Sequence, residues 1–153
     1  MSVSELIEIH GKWNFDYNYY AGECASRFFH ELRENRRIMG TRCTKCKRVL
    51  VPARAFCDAC MARTDEWVEV GPEGTLETFT IISTKFPGLP DPPIVMAYVT
   101  LDGADTALVN LVHGIDLSDI QKAAERLNTL PRVSTRFVDK PVGRITDFSF
   151  SLL

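Results

Sequence analysis

Apolar and polar positions follow three different rhythms along this chain. Between Ser4 and Met39 the pattern is helical: Ala25, Phe28, Phe29 and Leu32 recur at i, i+3, i+4 and i+7, while Glu23, Arg27, Glu31 and Glu34 fill the other faces. A short helix around Glu5 to His10, ended near Gly11, is expected to precede it. From Gly40 to Met61 apolar material is sparse, and Arg48-Val49-Leu50-Val51 reads as one short strand before Pro52 turns the chain. The rest is strand-rich. Candidate strands are Glu66 to Val70, Thr75 to Thr84, Ile94 to Leu101, Ala107 to Val112, Val133 to Val138 and Ile145 to Phe150, separated by Gly71-Pro72, Pro87-Gly88, Asp102-Gly103 and Pro141-Val142-Gly143. One helical stripe, Leu117, Ile120, Ala124 and Leu127, opened by Asp116 and closed before Pro131, interrupts them. Strands, a single interposed helix and more strands fit a small barrel of the OB type.

The sparse middle carries the strongest chemical signal. Cys43, Cys46, Cys57 and Cys60 form a C-x2-C-x10-C-x2-C pattern, in which each pair puts two thiolates on one side of a tight turn and the two turns complete a tetrahedral S4 site. Zinc prefers this cage, and iron occupies it in rubredoxins. A four-thiolate site is coordinatively full, so the metal holds a fold together and activates no water. Disulfides would need an oxidising compartment, and the opening Met-Ser-Val-Ser-Glu-Leu-Ile-Glu-Ile has neither the basic nor the apolar region of a signal peptide. The residues after each second cysteine are Lys47 and Met61, where glycine commonly eases the knuckle turn. That departure weakens an electron-carrier reading and leaves the knuckle geometry open. The expected architecture is mainly β with N-terminal helices: a helical arm over 1–39, a zinc ribbon over 40–65 and an OB-fold barrel over 66–153.

Charge sharpens this picture. The net charge is only -2, yet from Arg36 to Arg63 the basic residues are Arg36, Arg37, Arg42, Lys45, Lys47, Arg48, Arg54 and Arg63, with Asp58 the lone acid. Such a surface suits phosphate, in a nucleic acid or a nucleotide-bearing cofactor, or an acidic protein; partial compensation of four thiolates is the plainer reading. No apolar run approaches the ~18 residues of a membrane span, and a cytoplasmic location is expected. In the arm, Trp13, Phe15, Tyr17, Tyr19 and Tyr20 fall within eight residues. A small domain cannot easily bury them all, so they dock on another protein or pack on the chain's own helix.

Little in the sequence marks independent catalysis. His10, His30 and His113 stand in different regions, Cys24 has no marked base, and no Walker loop, dinucleotide fingerprint or GxSxG elbow is present. Single-stranded nucleic acid could stack on Phe79, Tyr98, Phe137, Phe148 and Phe150. Against this, the third region sets Lys85, Lys122, Arg126, Arg132, Arg136, Lys140 and Arg144 against a larger number of acids, where a polyanion groove should be basic. A compact phosphate ligand needs only a few cations at one spot.

Arg42-Cys43-Thr44-Lys45-Cys46, then Val51-Pro52-Ala53-Arg54-Ala55-Phe56-Cys57-Asp58-Ala59-Cys60, then Glu66-Trp67-Val68-Glu69-Val70 leading to Gly74-Thr75-Leu76, resembles the domain of unknown function 35 family over nearly the whole chain. The resemblance implies an N-terminal helical arm, a rubredoxin-like zinc ribbon and a C-terminal OB-fold, in proteins associated with acyl-CoA enzymes, above all thiolases. It implies a non-catalytic small subunit of a thiolase-type acyltransferase complex, docking on a thiolase-fold large subunit and helping form the site for coenzyme A and acyl-CoA. Benzoylsuccinyl-CoA thiolase-like systems of aromatic-compound degradation are one such setting; a MaoC-like hydratase or an aldolase acting on acyl-CoA is the alternative partner. Arg54 stands where the family shows Pro-Pro-Arg, here Pro-Ala-Arg. Arg54 and Lys85 are the expected contacts to CoA phosphates, for which guanidinium forks are suited, or to the partner.

Overall fold

The computed structural model describes residues 8–153. The helix expected from Glu5 to His10 therefore lies partly outside the described residues, and Glu8 to His10 have no regular structure. From Glu8 to Ala21 the chain has no regular secondary structure and is exposed. The physical reason is its period: Trp13-Asn14-Phe15-Asp16-Tyr17-Asn18-Tyr19 alternates every second residue, so a helix would split the rings between two opposite faces and form no single apolar stripe.

The helical pattern is realised further on, in α1 (Gly22–His30), which buries Phe28 and continues as a π-helical turn over Glu31–Asn35 that buries Leu32. It stops there because Arg36 takes a left-handed conformation (φ 50°), with Arg37 folded back onto the Glu31 carboxylate at 2.7 Å. The chain then enters strand β1 (Ile38–Cys43), whose first two residues fall inside the range expected to be helical. All but one of its six residues are buried, so neither periodicity is written in them.

β1 is the centre of a three-stranded antiparallel sheet, between β2 (Val49–Leu50) and β3 (Thr64–Val70). β3 passes through Gly71-Pro72 into β4 (Glu73–Ile82), followed by β5 (Ile94–Leu101), β6 (Leu108–His113), α2 (Ile120–Leu127), β7 (Arg132–Phe137) and β8 (Phe148–Leu152). These five strands close in the order β4-β5-β6-β8-β7, with β7 returning to β4 through Gly74 opposite Val133. The weakest seam is β6 to β8, a parallel pairing of only Val112 with Phe150 and His113 with Ser151. Gly74 allows the barrel to begin: a Cβ there would lie 2.6 Å from the Thr100 carbonyl oxygen.

The last expected strand, from Ile145, starts at Phe148; Ile145–Asp147 form a 3-10 turn instead. In α2 the buried residues are Ala123 and Leu127, while Ile120 is exposed, so the buried stripe is rotated from the expected one. Asp119 caps this helix, accepting from the N–H groups of Gln121 and Lys122 at 3.1 Å, and Asp116 serves the turn before it through Ser118.

A single apolar core unites the parts. Phe28 and Leu32 of the helical segment, Ile38, Val49 and Val70 of the three-stranded sheet, Val51 just after β2, Leu76, Val99, Val133, Phe148 and Phe150 of the barrel strands, and Leu127 of α2 belong to one buried cluster. A satellite cluster of Cys43, Leu50 and Cys57 sits at the metal-binding end. Among the described residues no helix is long and apolar enough to cross a membrane.

Candidate functional site

β1 ends in the first knuckle and the segment after β2 leads to the second, so the sheet itself delivers the four thiols to one place. The Sγ atoms of Cys43, Cys46, Cys57 and Cys60 all lie within 4.8 Å of one another, with Cys43 to Cys60 at 3.3 Å and Cys46 to Cys57 at 3.6 Å. A tetrahedral cage with Zn–S bonds of ~2.3 Å needs sulfur–sulfur separations of roughly 3.8 Å. The donor set and its spacing fit zinc.

Each knuckle is built alike. Lys47 N–H donates to the Cys43 carbonyl at 3.1 Å and Met61 N–H to the Cys57 carbonyl at 3.0 Å, and both residues take positive φ, 66° and 53°. The left-handed turn that glycine would ease is thus made here without glycine, and the knuckle geometry survives the departure. The N–H groups of Lys45 and Cys46 point at Cys43 Sγ, each at 3.4 Å. Those amides, Cys46 foremost, draw the Cys43 thiol down to about 6, whereas the neighbouring Cys43 sulfur pushes Cys60 up to about 11. Four sulfurs this close cannot all be thiolates without a cation among them, so metal binding must displace protons.

The ribbon is fastened on both flanks. Buried Thr41 accepts from Arg54 N–H at 2.9 Å and donates to the Arg54 carbonyl at 2.8 Å, while Thr64 donates to the same carbonyl. On the outer edge of β2, Val49 and Val51 bond to the loop after β5 through Asp105 and Thr106. On the helix side, the Arg27 guanidinium stacks 4.3 Å from the centre of the Trp67 ring in β3. Beside that stack lies an open cleft of about 550 Å³, lined by Gly22, Cys24, Ala55, Arg63 and Trp67 among others. Burial pushes the Cys24 thiol up, which suits an unreactive side chain.

Arg54 and Lys85 are not brought together by any shared contact. Arg54 stands on the ribbon beside Asp58, at 3.5 Å, and Lys85 sits in the β4–β5 loop, paired with Asp91. The stacking residues expected for nucleic acid are largely consumed by folding: Phe148 and Phe150 are core, Phe79 and Phe137 pack against it, and of the five only Tyr98 is exposed. His113 ends β6 and His30 meets Arg33 at 3.1 Å.

Two contacts have no clear signal in the sequence. Arg48 joins Arg54 on Asp58, at 3.2 Å, a pairing foreshadowed only by Asp58 being the lone acid of the basic stretch. Buried Asp147 accepts from three successive N–H groups, of Val142, Gly143 and Arg144, at 2.9, 2.6 and 2.8 Å. Nothing local in the sequence distinguishes Asp147 from an exposed turn aspartate.

Comparison with known proteins gives a consistent result. A family model described as the ChsH2 rubredoxin-like zinc ribbon domain matches residues 30–66, and one described as the ChsH2 C-terminal OB-fold domain matches residues 67–122. No curated protein matches. Among solved structures, a protein of unknown function from the DUF35 family of Sulfolobus solfataricus is similar, with 21% identity, a TM-score of 0.60, and 86% of this chain and 87% of that one covered. A structure described as the Ltp2-ChsH2(DUF35) aldolase is similar with 20% identity and a TM-score of 0.61, covering 88% of this chain and 98% of that one. With its ribbon and OB-fold matched in succession and its cysteines placed for zinc, the chain belongs to the ChsH2 (DUF35) family.

Proposed function

We propose that this chain is the non-catalytic zinc-ribbon and OB-fold subunit of an acyl-CoA thiolase complex, docking on a thiolase-fold subunit and helping to form its CoA site. The observation that carries the reading is the arm. Trp13, Phe15, Tyr17 and Tyr19 are 87%, 62%, 71% and 79% exposed, and successive rings stand 5.8 to 6.2 Å apart along an extended segment that leaves the body of the molecule. Rings held out in this way offer large anchor areas to a partner at low entropic cost. The body supplies a rigid frame behind them, because helix, ribbon and barrel share one core.

The similar aldolase structure pairs a ChsH2 chain with Ltp2 by its description, which favours an aldolase acting on acyl-CoA as the second reading for the partner. In either case the reacting groups come from the partner, and this chain contributes binding surface. Arg54, and Lys85 from the neighbouring module, are the proposed contacts to CoA phosphates, supported by the exposure of both side chains, 42% and 71%. Co-expression with a thiolase-fold protein and with an aldolase tests the reading. A stoichiometric complex with one of them, lost when residues 8–20 are removed, is expected; monomeric behaviour with both would contradict it.

A further inference from the structure

The ribbon's basic surface contains one arrangement that the fold does not require. Asp58 is the lone acid between Arg36 and Arg63, and its two carboxylate oxygens are each taken by a different arginine: Oδ1 by Arg48 at 3.2 Å and Oδ2 by Arg54 at 3.5 Å. All three side chains are open to solvent, at 35%, 42% and 50% exposure. Solvated pairs of this kind hold weakly and exchange readily. Two guanidinium groups around one carboxylate leave a net positive charge, so the group as a whole still attracts an anion.

The backbone beneath is rigid where the side chains are not. Arg48 accepts the Cys43 N–H through its carbonyl at 2.9 Å, the Arg54 peptide is clamped by Thr41, and Asp58 lies between Cys57 and Cys60 in the second knuckle. Arg48 and Asp58 are therefore positioned by the cysteine knuckles, and Arg54 by Thr41 and Thr64 beside them. A pair of forks preset in this way loses little freedom when it closes on a ligand.

We propose that Arg48 and Arg54 form a two-guanidinium fork for a phosphomonoester, with Asp58 held between them as a placeholder that the phosphate displaces. A phosphomonoester carries close to two negative charges at neutral pH and three acceptor oxygens, against one charge and two oxygens on Asp58. It outcompetes the carboxylate for the same donors. That the phosphate belongs to a nucleotide-bearing cofactor rests on the function proposed above; the fork itself rests only on the geometry. Arg48 then joins Arg54 on one phosphate, and Lys85, on the neighbouring module, is left for a different phosphate of the same cofactor.

The test uses the zinc-loaded full chain and adenosine 3′,5′-bisphosphate, with binding measured by calorimetry and the arginine Nε–H resonances followed by NMR. Arg48 and Arg54 should shift on titration. Arg48→Ala or Arg54→Ala should weaken binding about tenfold or more, as expected for loss of a charge-assisted contact. Asp58→Asn should tighten it, by about two- to fivefold, since the competing anion is gone. A merely structural ion pair would give the opposite or no change for Asp58→Asn. Arg42→Ala, whose side chain is engaged with Glu66 at 3.1 Å, should bind as the parent does; if it weakens binding as much as Arg48→Ala, diffuse charge is responsible and the fork is wrong. Tighter binding of a short single-stranded RNA than of the bisphosphate would likewise overturn it. Zinc content measured on each variant confirms an intact ribbon. Bisphosphate binding at the fork in a chain that assembles with no partner would refute the proposed function and leave the fork standing. An active complex whose CoA affinity ignores Arg48→Ala and Asp58→Asn would refute the fork alone.

Discussion

Val49 and Asp105 bond to each other twice: the Val49 N–H donates to the Asp105 carboxylate at 2.8 Å, and the Asp105 N–H donates to the Val49 carbonyl at 2.9 Å. β2 is an edge strand of two residues, and this loop from the barrel satisfies the edge that β1 does not. Thr106 does the same for Val51, donating to its carbonyl at 3.0 Å and accepting from its N–H at 2.7 Å. The ribbon is thereby locked to the barrel through main-chain groups.

Asp105→Ala should leave the Val49 N–H without its partner and cost about 1–3 kcal/mol. Urea unfolding measures the loss, and amide exchange should show it concentrated at Val49 and Val51 while the β4–β5 pairing stays protected. A uniform change across the barrel would contradict the locking role.

Lys47 and Met61 hold left-handed conformations that disfavour any residue with a Cβ. Replacing either with glycine should stabilise the folded ribbon by about 1 kcal/mol, partly offset by the greater freedom glycine gives the unfolded chain. Competition for zinc against a chelator should show the variants retaining metal at least as well as the parent. Weaker retention would mean that the side chains themselves support the knuckles.

Burial alone would push the Asp147 carboxyl up, but the three N–H donors from Arg144, Val142 and Gly143 outweigh it and hold the group below its ordinary value of 3.8. A carboxyl lowered by folding contributes stability that is complete well above 3.8 and is lost as pH falls through the lower folded value. The loop it ties, 139–144, packs on the helical segment: Arg36 donates to the Asp139 carbonyl at 2.6 Å, and a Cβ on Gly143 would lie 3.4 Å from the Phe29 carbonyl oxygen. Asp147→Asn should therefore be less stable at neutral pH, and the gap to the parent should narrow in acid. Unfolding free energies of both proteins from pH 7 downward check this; a constant gap would contradict it.

Much of this architecture is legible because local chemistry and tertiary need agree. The cysteine spacing foretells the S4 cage, and Ile94 to Leu101 is legible at both ends because a strongly apolar run is bounded by Pro93 and Asp102. The start of β1 is lost in the helical segment because burial on both faces erases the alternation that would have marked it. The aromatic run between the two expected helices alternates with a period of two, the rhythm of an extended segment. At the candidate site, Arg54 stands out in the sequence but its companion Arg48 does not, since the two meet only through Asp58 once the knuckle closes. Contacts such as Arg27 on Trp67, and Asp147 on its loop, depend on elements far apart in the chain or on backbone direction, neither of which a residue list displays.

A metal closed by four thiolates has positional value only. The most direct measurement of that role is co-purification with the proposed thiolase-fold partner, with zinc, stoichiometry and thiolytic activity assayed together for the parent and for Cys43→Ser and Cys57→Ser. Loss of zinc accompanied by loss of both assembly and activity is the predicted result, because the buried cluster at the metal-binding end is only Cys43, Leu50 and Cys57 among the described residues. A variant that lost its zinc yet assembled and turned over as the parent does would contradict the positional role.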